Sequence, residues 1–166
     1  MKLTIALTLG AWFAAGAAWA AEKPAPAPNG IELPAYYKNW RVIGVSERQD
    51  KESLRVIVGN DTAVDAARTG NTHPWPEGSI LGKIAWKNQT HPNWPAATVP
   101  GEFVHAEFMI KDSAKYAKTG GWGFARWLGM EQKPYGQDAS FVQECMACHA
   151  QVKDNDSVFT HPAPLP

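Results

Sequence analysis

The chain has only two cysteines, and both stand in one pentapeptide near its C-terminal end, Cys145-Met146-Ala147-Cys148-His149. C-x-x-C-H is the spacing of covalent c-type haem attachment. On a helical turn the two intervening residues bring both sulfurs to one edge, where they add to the haem vinyl groups as thioethers. The adjacent His149 then reaches the iron as its proximal ligand. A thioredoxin-like redox motif would want a βαβ context, and a zinc site a second Cys/His pair at matching spacing; neither is present. With both thiols assigned to haem c, no structural disulfide remains.

The other end of the chain supports this assignment. Met1-Lys2 is a short positive start, an apolar run follows from Leu3 to Ala18, and Ala18-Trp19-Ala20 fits an A-x-A cleavage site. Residues 1–20 therefore read as a secretory signal peptide, cleaved near Ala20/Ala21. A retained anchor fits less well, because the apolar stretch falls short of the ~20 residues a spanning helix needs. Export predicts a periplasmic protein without a membrane span in its mature chain, the compartment in which bacterial c-type haem is attached. Removing residues 1–20 from 166 leaves 146, enough for one domain with a real core. The signal takes only Lys2 from a balance of 16 basic and 16 acidic residues, so nothing points to nucleic acid or an anionic membrane as partner.

Residues 21–32, with Pro24, Pro26 and Pro28 alternating with alanine, read as a flexible leader, and 33–166 as one haem domain. Leu33 to Trp40 has room for a short helix. Arg41–Ser46 and Leu54–Gly59 are β-rich and form a plausible hairpin. Asn60 is a good N-cap for a helix that Gly70 stops. Ser79–Lys87 reads as a third strand, with Ile80, Ile84 and Trp86 on one face and Leu81, Lys83, Ala85 and Lys87 on the other. His91 to Pro100 reads as a surface loop, Phe103–Ile110 as a fourth strand, Ser113 to Lys118 as a helical stretch and Gly121–Trp127 as a fifth strand. Ser140 with Gln143 makes a capping-box pattern for the final helix, which carries the attachment motif and ends near Asp154-Asn155. The expected class is α+β and β-rich: an antiparallel sheet of about five strands with short helices and a C-terminal haem-bearing helix. A four-helix cytochrome is excluded by the strands that precede the motif.

Five ordered segments carry a resemblance: Arg55-Val56-Ile57-Val58-Gly59-Asn60-Asp61, the run from Pro76 to Trp86, Met109-Ile110-Lys111-Asp112, Gly120-Gly121-Trp122-Gly123-Phe124, and the haem motif. Together they resemble the cytochrome P-460 family from about Tyr36 onward. The resemblance implies a periplasmic, β-rich monohaem protein, usually a homodimer. The family holds two kinds. Cytochrome P-460 proper has a lysine cross-linked to a haem meso carbon and oxidises hydroxylamine to nitrous oxide or nitric oxide-derived products. Cytochrome c prime beta has an ordinary c-type haem with an apolar distal pocket that binds nitric oxide or carbon monoxide.

Lys83 decides between them, because its place in the Gly78-to-Trp86 segment matches the cross-linking lysine. From the residues alone it reads as an ordinary strand lysine facing solvent beside Lys87. By approximate family spacing, Arg55 is the candidate hydrogen-bond donor on the distal side and Asp112 the candidate proton acceptor. Arg41, Arg68, Arg126 and Glu107 compete with them, each otherwise a solvated surface charge. Some active members also place a carboxylate just before the haem motif; Asp138 and Glu144 are nearby here, with Ser140 as the other occupant of that place. His73, His91, His105, His161, Met109 and Met130 are alternative iron ligands with no context demanding that role. Five-coordinate iron suits a reactive site, and an electron carrier would want two strong protein ligands. The leading expectation is a hydroxylamine oxidoreductase that passes electrons to a periplasmic redox protein. The second is a gas-binding haem protein with Phe103, Phe108 or Trp86 capping the iron, and the third a plain electron-transfer cytochrome.

Overall fold

The computed structural model describes residues 23–166, so the signal peptide expected over 1–20 lies outside the described residues. The architecture is α+β and β-rich. Six strands form one antiparallel sheet in chain order: β1 (Arg41–Arg48), β2 (Ser53–Gly59), β3 (Ile80–His91), β4 (Trp94–Lys111), β5 (Trp122–Leu128) and the short β6 (Lys133–Pro134). Helix α1 (Asp61–Thr69) lies between β2 and β3, and helix α2 (Val142–His149) follows the sheet.

Strand alternation gives the sheet two unlike faces. Val56, Val58, Ile84, Ala106, Phe108 and Trp127 form the apolar face. Phe108, 1% exposed, sits at its centre with the rings of Tyr37, Trp40 and Trp127 edge-on at 5.2, 6.2 and 5.9 Å. Gly82 is needed beside it, since a Cβ there would lie 2.8 Å from the Phe108 ring.

The segment expected as a flexible leader covers this face. Ala27 and Ile31 are 3% and 5% exposed, Ala25 accepts a hydrogen bond from Trp127 Nε1 (2.9 Å), and Asn29 Nδ2 donates to the Phe124 carbonyl (2.8 Å). Prolines bring no amide to be left unsatisfied, so a Pro/Ala chain can lie on an apolar surface without a ladder partner. Leu33 to Trp40 contributes only a 3-10 turn at Tyr37–Asn39, and Ser113 to Lys118 is likewise not a helix, its region holding a 3-10 turn at Ala117–Thr119.

The stretch from His91 to Pro100 is not a loop. β3 and β4 continue past the rest of the sheet as a two-stranded ribbon, with Asn88 opposite Pro100 and Thr90 opposite Thr98. β5 reaches only as far as His105 along β4, so Pro95 and Pro100 of β4 can turn their missing N–H to the unpaired side.

Asn60 caps α1 as expected: its Oδ1 accepts from Ala63 N (3.1 Å) and from Ile80 N (3.0 Å), tying helix and strand together. Gly70 ends the helix at φ 74°, a left-handed position that favours glycine. Before α2 the cap is Asp138, not Ser140. The Asp138 carboxylate accepts from Ser140 N at 2.8 Å and opens a 3-10 turn (Ala139–Phe141) that runs into the helix. Beyond His149 the chain continues as 3-10 helix through Asn155, kinked at Val152.

Candidate haem site

Two elements build the site. On the second face of the sheet, register places Ile57 (β2), Lys83 (β3), Glu107 (β4) and Arg126 (β5) in one row across four strands. Helix α2 lies over this face and presents Cys145, Cys148 and His149, which fall on one side because residues three and four apart on a helix are neighbours. A cavity of about 560 Å³ separates row from helix, and all three motif residues line it together with Arg55, Lys83, Glu107 and Arg126. That volume is in the usual range for a small-molecule or cofactor pocket.

His149 is held for ligation. Its Nδ1 lies 2.6 Å from the Ser157 carbonyl, which can only accept, so Nδ1 carries the proton and Nε2 is the nitrogen left for a metal. The rings of Phe124 and Phe159 stand 5.2 and 5.1 Å away on its flanks. Burial lowers the imidazole pKa, with the Ser157 bond opposing it. Neutral imidazole is the ligating form.

The row opposite is charged and largely buried. Glu107, 18% exposed at its side chain, forms ion pairs with Lys83 through Oε2 and with Arg126 through Oε1, an oxygen that the His105 ring also approaches. Arg126 Nε is 2.5 Å from that oxygen, though without the alignment of a hydrogen bond, and His105 Nε2 is 3.3 Å away. Burial pushes the Glu107 carboxyl up, but Lys83 and Arg126 more than offset this and leave it below the ordinary value. His105 is pushed down to about 4, chiefly by burial, so it is neutral at pH 7. Arg126 also stacks over Tyr135 (4.5 Å), whose hydroxyl donates to Glu144 at 2.7 Å.

The candidates fare unequally. Lys83 faces the cavity and not open solvent. Arg55 lines it too, one residue pair along from the row, with a buried Nε that has no partner. An orphaned donor beside two thiols and a free imidazole nitrogen is what a polar ligand atom would satisfy. Asp112 is not brought to the cavity. It opens the turn after β4, where its carboxylate accepts from Lys115 N (2.9 Å), and the carboxylate in the site is Glu107. The alternation of β4 held a signal for this: His105, Glu107 and Met109 share the face opposite Ala106 and Phe108, and Glu107 registers with Lys83. Among the carboxylates before the motif, Glu144 lines the cavity and Asp138 serves as the cap. Arg41 pairs with Asp61 on α1.

The proposed apolar caps are also displaced. The side chains of Phe103, Phe108 and Trp86 pack on the opposite face, and Phe108 borders the cavity only through its place in the strand between Glu107 and Met109. Of the other possible iron ligands, Met109 and His161 border the cavity, His73 is hydrogen-bonded between Thr72 and Asn155, and Met130 is 78% exposed.

Paired thiols and a pre-oriented imidazole on one helix, over a β-sheet with a cofactor-sized cavity between, define a β-rich monohaem cytochrome of the c type. A family model described as Cytochrome P460 matches residues 34–160, and the chain belongs to that family. No curated protein matches the chain. Cys145 and Cys148 on α2 would hold the haem c that this family implies, and His149 Nε2 would ligate its iron. Among the described residues no helix is long and apolar enough to cross a membrane.

Proposed function

We propose that the chain is an exported, periplasmic hydroxylamine oxidoreductase whose haem is tethered at Cys145, Cys148 and, through a cross-link, Lys83. The observation that carries this reading is the buried Lys83–Glu107–Arg126 row facing the attachment helix across one cavity. A gas-binding pocket calls for apolar side chains at that place, and here the aromatic candidates belong to the other face.

When bound, haem c supplies an iron with an open coordination position and a sink for electrons. Oxidising hydroxylamine releases protons along with electrons, so the site needs a base. Glu107 is ionised and takes them one at a time, each passing on to solvent before the next, while Arg126 remains as its counter-charge if Lys83 becomes a neutral secondary amine. The Arg55 guanidinium, with its unpartnered Nε, donates to the substrate's polar atoms. Glu144 and Tyr135 extend the polar chain from Arg126 toward the rim. Electrons leave to a periplasmic redox protein. A homodimer belongs to the same proposal, with Val42 and Val45 exposed on β1 as the surface for a second copy beside the C-terminal tail, whose Ala163 N donates to the Ile43 carbonyl at 2.8 Å.

The test is steady hydroxylamine turnover with an artificial oxidant, together with the ferrous spectrum. The expected result is turnover and a red-shifted ferrous band, both lost in Lys83→Met, which should show an ordinary c-type spectrum. Tight nitric oxide binding, no turnover and an ordinary spectrum in the unmodified protein would select the gas-binding reading instead.

A further inference from the structure

Behind the axial histidine lies a buried ion pair that the catalytic reading does not use. Lys111, the last residue of β4, is 6% exposed, and its Nζ donates to both oxygens of Asp156 at 2.7 and 2.9 Å. The Asp156 carboxylate also accepts from Trp75 N (2.9 Å), and its main-chain oxygen accepts from Trp122 Nε1 (2.8 Å). The ammonium sits 4.9 Å over the Trp122 ring. Four hydrogen bonds from three separate parts of the chain thus converge on one residue.

That residue begins a strained turn. Asp156 and Ser157 stand at φ 48° and 60°, left-handed positions that side-chain-bearing residues occupy only when their surroundings enforce them. Ser157 is the residue whose carbonyl accepts from His149 Nδ1. The turn therefore aims the acceptor, and the clamp on Asp156 holds the turn.

We propose that Lys111 and Asp156 are positioning residues for the haem's axial ligand: a strut that fixes the Ser157 carbonyl against His149 and so sets how strongly the imidazole donates to iron. A hydrogen bond at Nδ1 raises the basicity of Nε2, and its strength depends on the placement of the carbonyl. Stability alone explains this pair poorly, because apolar residues of similar volume usually serve a core as well as a buried ion pair does. The inference concerns only the axial side and holds whichever small molecule the iron takes.

The test uses haem-loaded Lys111→Met, Lys111→Arg and Asp156→Asn, read by the iron–histidine stretching band of the ferrous protein and by the haem midpoint potential. Lys111→Met and Asp156→Asn are expected to lower the stretching frequency and raise the potential. Lys111→Arg should restore most of both, and Arg41→Met, which breaks the exposed pair with Asp61, should change neither. Asp156→Asn keeps the side-chain shape and an acceptor for Trp75, so it gives the reading if Lys111→Met loses its fold. Unshifted band and potential in folded variants, with only the melting temperature lowered, would overturn the proposal. Failure of both variants to fold would also count against it, since a positioning role implies a folded protein with an altered ligand.

Discussion

One sheet serves two purposes, and its two faces show how differently they are built. Phe108 and Glu107 are consecutive residues of β4. Phe108 enters a face where Tyr37, Trp40 and Trp127 surround it and leave it buried. Glu107 enters a face where Lys83, Arg126 and His105 gather on one carboxylate. The first arrangement draws its free energy from apolar area removed from water. The second costs free energy, because buried charges repay their desolvation only partly. A fold that keeps such a row beside an attachment helix has placed its chemistry on the face that contributes least to stability.

Breaking the apolar face should have the largest effect on stability. Phe108→Ala is expected to cost about 3–5 kcal/mol in chemical denaturation, the range for removing a large buried ring. On the other face, Glu107→Gln is expected to fold but to lose about 10²- to 10³-fold in kcat/KM for hydroxylamine, about 3–4 kcal/mol of barrier, measured by steady-state turnover. A variant that kept full turnover would remove Glu107 as the proton acceptor.

The contrast also has a pH signature. His105 binds its proton near pH 4 in the folded chain and near 6.5 when unfolded, so the unfolded state takes the proton first as pH falls. Stability should therefore be complete above about pH 6.5 and decline toward pH 4, by up to about 3 kcal/mol, with Glu107 adding loss in the same direction at the acid end. Denaturation curves at a series of pH values check this, and His105→Gln should flatten the upper part of the slope. Phe108→Ala should leave the slope unchanged.

The smallest effect is local to the chain between β2 and β3. Asn60→Ala removes one acceptor shared by Ala63 and Ile80, and is expected to cost about 1–2 kcal/mol without changing the ferrous spectrum.

What the sequence revealed follows from how local each signal was. Asn60 and Gly70 act through neighbours a turn away, and the structure uses them as their spacing implies; the C-x-x-C-H motif lies on a helix, as its spacing implies. The strands carrying Lys83 and Arg55 were legible for the same reason, as period-two patterns bounded by turns. Most of the misreadings turn on a distant partner, the Asp138 cap two residues from Ser140 being a local exception. Residues 23–32 pack only because the far face of the sheet is apolar, and the Pro-rich segment pairs only because β3 runs on to meet it. Asp112 was preferred over Glu107 on spacing, whereas cross-strand register chose Glu107. Ser157 left no trace at all, since it acts through a backbone carbonyl that any residue would supply.

In the proposed function everything turns on the charged face meeting the haem edge at Lys83. The most direct measurement is the mass of the haem-bearing fragment after proteolysis of the holoprotein. The expected result is one fragment in which the macrocycle joins the Cys145–His149 segment to the β3 segment containing Lys83, replaced in Lys83→Met by haem on the helix segment alone. Haem found only on the Cys145–His149 segment of the unmodified protein would contradict it.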